Sequence, residues 1–174
     1  MTALASHKKL FLSILVLLLL IIAGRYFLLR ETKTFQSTAV AVATLNIIPN
    51  QQSLSAGEEV ELIIAVDTNG EAVNTVTANL SYPTDILEFV NLNLQDSFAK
   101  IWFEKKTSLP GEIRLTGSLP TPGFAGQGAF AKLTFRAKEK GKAQIAFTSN
   151  SAVFRNLDSL NILGQTENGL VEVE

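Results

Sequence analysis

The feature that most constrains the fold of this chain is a two-residue alternation of apolar and polar side chains. In the clearest example, Val, Leu, Ile and Val occupy every second position of residues 60–66, and the turn sequence Asp-Thr-Asn-Gly follows at 67–70. Side chains of a β-strand point alternately to its two faces, so this pattern predicts a strand with one buried and one solvated face. Similar runs separated by turn residues continue to the C-terminus, without an amphipathic helix of useful length. The alternation therefore predicts an all-β fold, a β-sandwich or jelly roll of about nine strands over residues 42–174.

Two of these runs predict local details of the strands. Apolar positions change parity between Phe89 and Val90, which predicts a β-bulge there. In the run of residues 129–137, the alternation predicts that Phe130 lies on the polar face, opposite to its alanine neighbours. Phe124, in a loop rich in Pro and Gly, is expected to cover the core as a lid rather than to form a loop-tip contact.

The N-terminal region is different, because an apolar run follows Lys8 and Lys9. Residues 10–29 are long enough for a spanning helix, which needs roughly 20 apolar residues, if Arg25 extends to the membrane interface. A cleaved signal peptide is the alternative, but residues 24–30 make a poor cleavage site. We therefore expect a transmembrane anchor.

The anchor prediction divides the chain and places it in the cell. Residues 1–9 form a short cytoplasmic N-terminus, 10–29 the anchor, 30–41 a stalk, and 42–174 the sandwich. The expected location is the cell membrane, as a single-pass protein with an extracellular C-terminal domain. The orientation follows from the short N-terminal segment, since positive charge flanks both ends of the span.

The charges of the two parts have opposite signs. Residues 1–40 contain five Lys/Arg and one Glu, which gives 5 − 1 = +4, whereas residues 41–174 contain ten Lys/Arg and fifteen Asp/Glu, which gives 10 − 15 = −5. A basic terminus suits anionic lipid, and an acidic domain argues against nucleic acid as a partner.

The composition provides little for catalysis. The chain has no cysteine, and its single histidine, His7, precedes the predicted anchor. Nucleophilic sites built on a Ser-His or Cys-His pair therefore have no base in the sandwich, and we predict that the chain is not an enzyme and needs no cofactor. Residues 67–71 are rich in oxygen donors, as a calcium site would be, but Asp-Thr-Asn-Gly is ordinary turn chemistry, so no metal site is predicted.

Four stretches, in their order along the chain, resemble one known family: residues 54–62, 76–90, 128–137 and 169–173. They are similar to the bacterial cohesin domain, the module that binds dockerins in cellulosomes. One departure is that Pro83 and Thr84 stand between Tyr82 and Asp85, where the family usually has Asp directly after Tyr. The resemblance implies a nine-stranded jelly roll related to carbohydrate-binding modules, which docks a partner on one sheet face.

The resemblance also implies which residues meet the partner, because that face is built from the third, fifth, sixth and eighth strands. Trp102 has the opposite parity to Ile101 and Phe103 and is predicted to point outward; the reverse, with Trp102 inside and its neighbours exposed, remains open. The predicted partner-binding residues are Thr75, Thr77, Asn79, Trp102, Glu104, Glu112, Arg114 and Thr116.

Three kinds of function are compatible with such a domain. The expected partner is a dockerin-like protein, in the context of polysaccharide degradation or surface assembly. A carbohydrate-binding module that takes polysaccharide directly is the first alternative, and it predicts a flat row of exposed aromatic side chains. A structural cell-surface protein is the second, and it predicts repeated domains, of which this sequence shows one.

Overall fold

The computed structural model describes residues 40–174, in which twelve β-strands form and no α-helix is present. The strands are β1 (Ala43–Ile48), β2 (Gln51–Leu54), β3 (Glu59–Asp67), β4 (Val73–Ser81), β5 (Leu87–Asn93), β6 (Ile101–Lys106), β7 (Glu112–Ser118), β8 (Gln127–Ala137), β9 (Gly141–Phe147), β10 (Ala152–Arg155), β11 (Leu163–Glu167) and β12 (Gly169–Val173).

The strands form two sheets around a common apolar core. The five-stranded sheet has the order β11-β1-β3-β8-β5. The seven-stranded sheet has the order β2-β12-β9-β4-β7-β6, and β10 pairs with β4 beside β9. The predicted all-β sandwich is confirmed.

The predicted number of nine strands is too small, because three short strands were missed. These are β2, β10 and β11, with four, four and five residues. The sequence of β2 is Gln-Gln-Ser-Leu and that of β11 is Leu-Gly-Gln-Thr-Glu, and both lie at sheet edges with little burial. Strands that bury few side chains need no apolar alternation, so their sequences carry no strand signal.

The core is built from the apolar positions that the alternation marks. Val60, Leu62, Ile64 and Val66 of β3 are buried, with at most 9% of each exposed. Burial of apolar side chains such as these between the two sheets is the main driving force for folding, at about 25 cal/mol per Å² of apolar surface.

Bulges decide where the alternation holds and where it changes. In β5, Phe89 pairs with Phe135 and Asn91 with Thr134, so Val90 is the extra residue, and the predicted bulge is confirmed. A second register shift, between β3 and β8, was not predicted.

That second shift reverses the expected position of Phe130. Ile64 pairs with Ala131, and Ala65 pairs with Ala129, which leaves Phe130 without an opposite residue on β3. The side chain of Phe130 is fully buried, so the prediction that it lies on the polar face is wrong. The reason is that an extra residue in one strand changes which face the following side chains occupy.

An aromatic cluster fills one part of the core. The ring of Phe124 stacks on Phe98 with a centroid distance of 4.1 Å and an interplanar angle of 9°. Phe98 contacts Phe130, which contacts Trp102 at a centroid distance of 5.0 Å. Phe124 is partly buried against the core, as expected for a lid.

The chain enters the sandwich at one end, which we call the N-terminal pole. The backbone N–H of Val42 donates to Ile162 O at 2.9 Å, and the N–H of Gly126 donates to Thr68 Oγ1 at 2.8 Å. Because Thr44 pairs with Asp67, these loops gather around the start of β1. Within residues 40–174 no helix is long and apolar enough to cross a membrane. The predicted anchor at 10–29 and all of the predicted stalk before Val40 lie outside the described residues.

Candidate docking face

The predicted partner-binding residues lie on three strands that are direct neighbours in the seven-stranded sheet. β4 pairs with β7, and β7 pairs with β6. Thr77 lies opposite Thr116, Asn79 opposite Arg114, and Glu104 opposite Thr116. Opposite residues of paired strands point to the same side of a sheet, so these side chains share one surface. We call it the outer face, and its predicted members are Thr75, Thr77, Asn79, Glu104, Glu112, Arg114 and Thr116.

Trp102 does not belong to the outer face, and its predicted orientation is wrong. It pairs with Gly117, which is buried, and its ring packs against Phe130 inside the sandwich. The physical reason is a bulge: Trp102 pairs with Gly117 and Glu104 with Thr116, so Phe103 is an extra residue between them. The extra residue places Trp102 inside and Glu104 outside, although they are two positions apart. The alternative left open from sequence is the one observed, with Ile101 45% and Phe103 70% exposed.

Hydroxyl side chains form the centre of the outer face. Thr77 Oγ1 and Thr116 Oγ1 lie 3.3 Å apart across β4 and β7. Thr75 Oγ1 donates to Ser118 Oγ at 3.5 Å, and Ser118 Oγ donates to Asn74 O at 2.7 Å. These short side chains bond one another and leave the centre of the face low and uncharged.

Asn79 lies where β4 changes its neighbour from β9 to β10. The backbone N–H of Asn79 donates to Ser151 Oγ at 3.1 Å, and that hydroxyl donates to Asn79 O, also at 3.1 Å. The side-chain amide of Asn79 donates to Asn150 O at 3.3 Å. Asn79 is therefore partly engaged within the fold, and its role is at least as much to hold the loop at 148–151 as to present an amide to a partner.

Charged side chains occupy one part of the outer face. Arg114 Nη2 lies 2.7 Å from Glu112 Oε2, and both side chains are nearly half exposed. Lys106 lies directly opposite Arg114 on the edge strand β6. Glu104 lies two pairs from Lys106 along β6, opposite Thr116. The face thus changes from apolar at Ile101 to charged at Lys106 within one strand.

Sequence reasoning missed several residues of this surface: Ile101, Phe103, Lys106, Ser118 and Phe154. Phe154 of β10 lies opposite Thr75 and extends the outer face beyond β4. The signal for Ile101 and Phe103 was present, since three apolar residues in succession cannot all be buried in a regular edge strand. No signal marked Phe154, because β10 has no alternation.

The described residues offer no obvious metal site. Within residues 40–174 no three His, Cys, Asp or Glu side chains cluster closely enough to hold an ion. At the 67–71 turn, Asp67 Oδ1 accepts the N–H of Asn69 at 2.8 Å, and Oδ2 accepts from Gln127 Nε2 at 2.9 Å. These bonds, the first above all, lower the pKa of Asp67 below its ordinary value of 3.8. The oxygens act as a turn cap, as turn chemistry predicts.

A cleft of about 340 Å³ opens beside the turn between β6 and β7. Its lining includes Tyr82, Glu88, Phe89 and Lys138, and burial raises the pKa of the Tyr82 phenol. None of the predicted partner-binding residues lines this cleft.

The sequence model of the cohesin domain matches residues 45–173.

The chain belongs to the cohesin-domain family. Cohesin domains are non-catalytic dockerin-binding modules, so membership agrees with the prediction that the chain is not an enzyme. Among curated proteins no sequence matches this cohesin significantly.

Solved structures share the fold of this cohesin at low sequence identity. CaCohA2 from Clostridium acetobutylicum, in complex with a CaDoc0917 variant, has a TM-score of 0.66 and 18% identity over 76% of this chain and 100% of that chain. The cohesin of a type I Coh-OlpC–Doc435 cohesin–dockerin complex from Clostridium thermocellum has a TM-score of 0.64 and 20% identity, over 79% and 96% of the two chains. A non-cellulosomal cohesin from the archaeon Archaeoglobus fulgidus has a TM-score of 0.63 and 17% identity, over 77% and 92%.

Proposed function

We propose that this chain is a membrane-anchored cohesin that docks a dockerin-like protein on the outer face, outside the cytoplasm. One observation carries the proposal: β4, β7 and β6 present a continuous surface that combines a low hydroxyl centre, exposed apolar side chains and charges. The apolar members are Ile101 and Phe103, and the charged members include Arg114 and Glu112. Protein interfaces combine such features, with an apolar anchor region and a polar rim.

Related structures support a protein partner. The Clostridium thermocellum and Clostridium acetobutylicum cohesins were solved with bound partners, and the first complex is described as a cohesin–dockerin complex. The Archaeoglobus fulgidus domain is described as non-cellulosomal, which shows that the fold also occurs outside cellulosomes. We therefore propose the docking activity first, and a polysaccharide-degrading or surface-assembly context second.

Direct polysaccharide binding remains the second candidate. A flat polysaccharide surface is recognised by several aromatic rings in a row. In the described part of the chain, Phe103 is the one aromatic side chain with a large exposed fraction, and Trp102 packs inside. A single ring cannot form a row, so we keep protein docking as the proposal.

The experiment is affinity capture with the full chain in detergent micelles. The chain is immobilised and exposed to native cell and secreted extracts of its source, with calcium and again with a chelator, and the retained proteins are identified. Two variants, each with one threonine replaced by arginine, are run in parallel. Thr77→Arg obstructs the centre of the outer face, and Thr134→Arg places the same side chain on the solvated side of β8 in the other sheet.

The proposal requires a specific pattern. Dockerins fold around calcium, so a retained dockerin should be lost on chelation. It should also be lost with Thr77→Arg and retained with Thr134→Arg, while far-UV circular dichroism shows both variants folded. If Thr77→Arg retains the same protein as the parent chain, the outer face is excluded as the docking site. If the chain retains no protein but binds insoluble cellulose, the second candidate is favoured.

A further inference from the structure

One pair of residues on the outer face has an unfavourable arrangement within the isolated domain. Lys106 and Arg114 are directly opposite on β6 and β7, and like charges at such positions destabilise a sheet. Glu112 compensates Arg114 at 2.7 Å. Lys106 makes no ion pair with any of residues 40–174, although it is exposed on an edge strand.

The other side chains of β6 determine where along the strand a partner's carboxylate is favoured. Along β6 the side chains run from the exposed apolar residues Ile101 and Phe103, through the partly exposed acid Glu104, to the exposed bases Lys105 and Lys106. Lys105 pairs with the buried Leu115 and so does not lie on the outer face, whereas Lys106 pairs with Arg114. A partner that places a carboxylate beside Glu104 meets repulsion, whereas the same carboxylate beside Lys106 and Arg114 meets attraction. Like-charge contacts at an interface are unfavourable, so this order of charges favours one register of a bound partner.

The domain as a whole is acidic, which limits the kind of anion that fits. Residues 41–174 carry 10 − 15 = −5, so polyanions such as nucleic acids are repelled. Exposed charges act over about 8 Å at physiological salt, because ions screen them beyond that distance. Beside Lys106 and Arg114, Glu112 offsets only one of the two positive charges, so a single carboxylate at that position still meets attraction, next to an apolar group that contacts Phe103.

We propose that the partner of this cohesin carries an Asp or Glu that binds between Lys106 and Arg114, and an apolar side chain that packs on Ile101 and Phe103. The proposal rests on the proposed docking function and specifies the chemistry of the partner. The partner's carboxylate compensates the charge of Lys106, as Glu112 already compensates that of Arg114. The apolar contact removes the exposed ring of Phe103 from water.

The test uses a library of the Clostridium thermocellum Doc435 dockerin, randomised at its exposed positions and displayed on yeast. The library is selected in calcium against the full chain, and separately against Lys106→Glu and against Lys140→Glu. Lys140 lies in the exposed turn between β8 and β9 and does not belong to the outer face, so the control makes the same charge change at another position.

We expect acidic residues to be enriched at one or two dockerin positions with the parent chain and with Lys140→Glu, and basic residues at the same positions with Lys106→Glu. A dockerin selected on the parent chain should bind the Lys106→Glu variant about tenfold more weakly than the parent. Replacing the selected acidic residue of that dockerin by Lys should restore part of the lost affinity for the variant. Phe103→Ser should weaken binding independently of the charge.

The outcomes separate the two proposals. If calcium-dependent dockerins compete for binding to the outer face but show no enrichment of acidic residues, this inference is overturned and the proposed docking function stands. A library without any calcium-dependent binder contradicts both. Self-association of the chain through the same face, seen as a Lys106-dependent dimer by analytical ultracentrifugation, also overturns the inference.

Discussion

Trp102 lies directly opposite Gly117, and the missing side chain of Gly117 provides the space that the indole ring occupies. A Cβ atom at Gly117 would lie 3.1 Å from Trp102 Cζ3 and 2.9 Å from Phe130 Cε2. It would also lie 2.9 Å from Ala99 Cβ. Contacts this short require the neighbouring atoms to move, so position 117 and the inward orientation of Trp102 depend on each other.

The first prediction concerns that space. Gly117→Ala should lower the free energy of unfolding by about 1–3 kcal/mol, because overpacking forces the aromatic neighbours out of their preferred positions. The chain contains a single tryptophan, so Trp102 fluorescence reports the change during urea denaturation. Thr116→Ala, on the same strand but on the outer face, is the control and should cost clearly less. An equal loss for both variants would contradict the packing argument.

The second prediction separates two adjacent aromatic residues of β6. Trp102→Ala should lower the free energy of unfolding by about 2 kcal/mol or more, since it removes a large ring packed on Phe130. Phe103→Ala should change it by no more than about 0.5 kcal/mol, because its side chain is 70% exposed. Far-UV circular dichroism during guanidinium denaturation measures both variants. The reverse order of the two losses would show that the bulge at Phe103 is wrongly placed.

The third prediction concerns Ser151, whose hydroxyl fills the gap between β9 and β10. Ser151→Ala leaves the backbone N–H of Asn79 without its acceptor, and an unsatisfied buried donor costs about 1–3 kcal/mol. We expect the midpoint of urea denaturation to fall accordingly. The control is Ser149→Ala, at an exposed position of the same loop, which should leave the midpoint nearly unchanged. Loss of stability in the control alone would contradict this role.

The fourth prediction concerns acid stability. A hydrogen bond from Lys132, with the attraction of its charge, lowers the pKa of Asp96 below its ordinary value of 3.8. A carboxyl with a lowered pKa stabilises the fold above its unfolded pKa, and the contribution is lost as the pH falls through the folded pKa. The same partner raises the pKa of Lys132 above its ordinary 10.5, so the pair also weakens at high pH.

Asp96→Asn should therefore reduce stability slightly at neutral pH and make no difference at a pH well below 3.8. The difference should also shrink in 1 M salt, because the Asp96 side chain is 65% exposed and the ion pair is screened. Urea midpoints of the two proteins between pH 2 and pH 7 test this. The control is Asp85→Asn, at an exposed position in the turn before β5. A stability difference that grows on acidification would have the wrong sign and refute the prediction.

Sequence and structure agree where a strand is regular. The alternation in β3 marks four core residues correctly. Thr77, Arg114 and Glu104, which the family resemblance assigned to one sheet, lie on neighbouring strands of that sheet. They disagree at β6 and β8, where each strand contains an extra residue. Phe103 and Phe130 both occupy bulges, and the parity of the flanking residues predicted the wrong side for Trp102 and for Phe130.

By itself, the sequence determined that this chain forms a β-sandwich and which side chains of its regular strands are polar. These features follow from period and burial, which each strand encodes locally. Only the tertiary structure decided that Trp102 lies inside and that Phe103 is exposed. The side on which a bulged residue falls depends on the space across the sheet, and here that space comes from Gly117 on another strand. A residue brought opposite only by folding leaves no trace in the local pattern of β6.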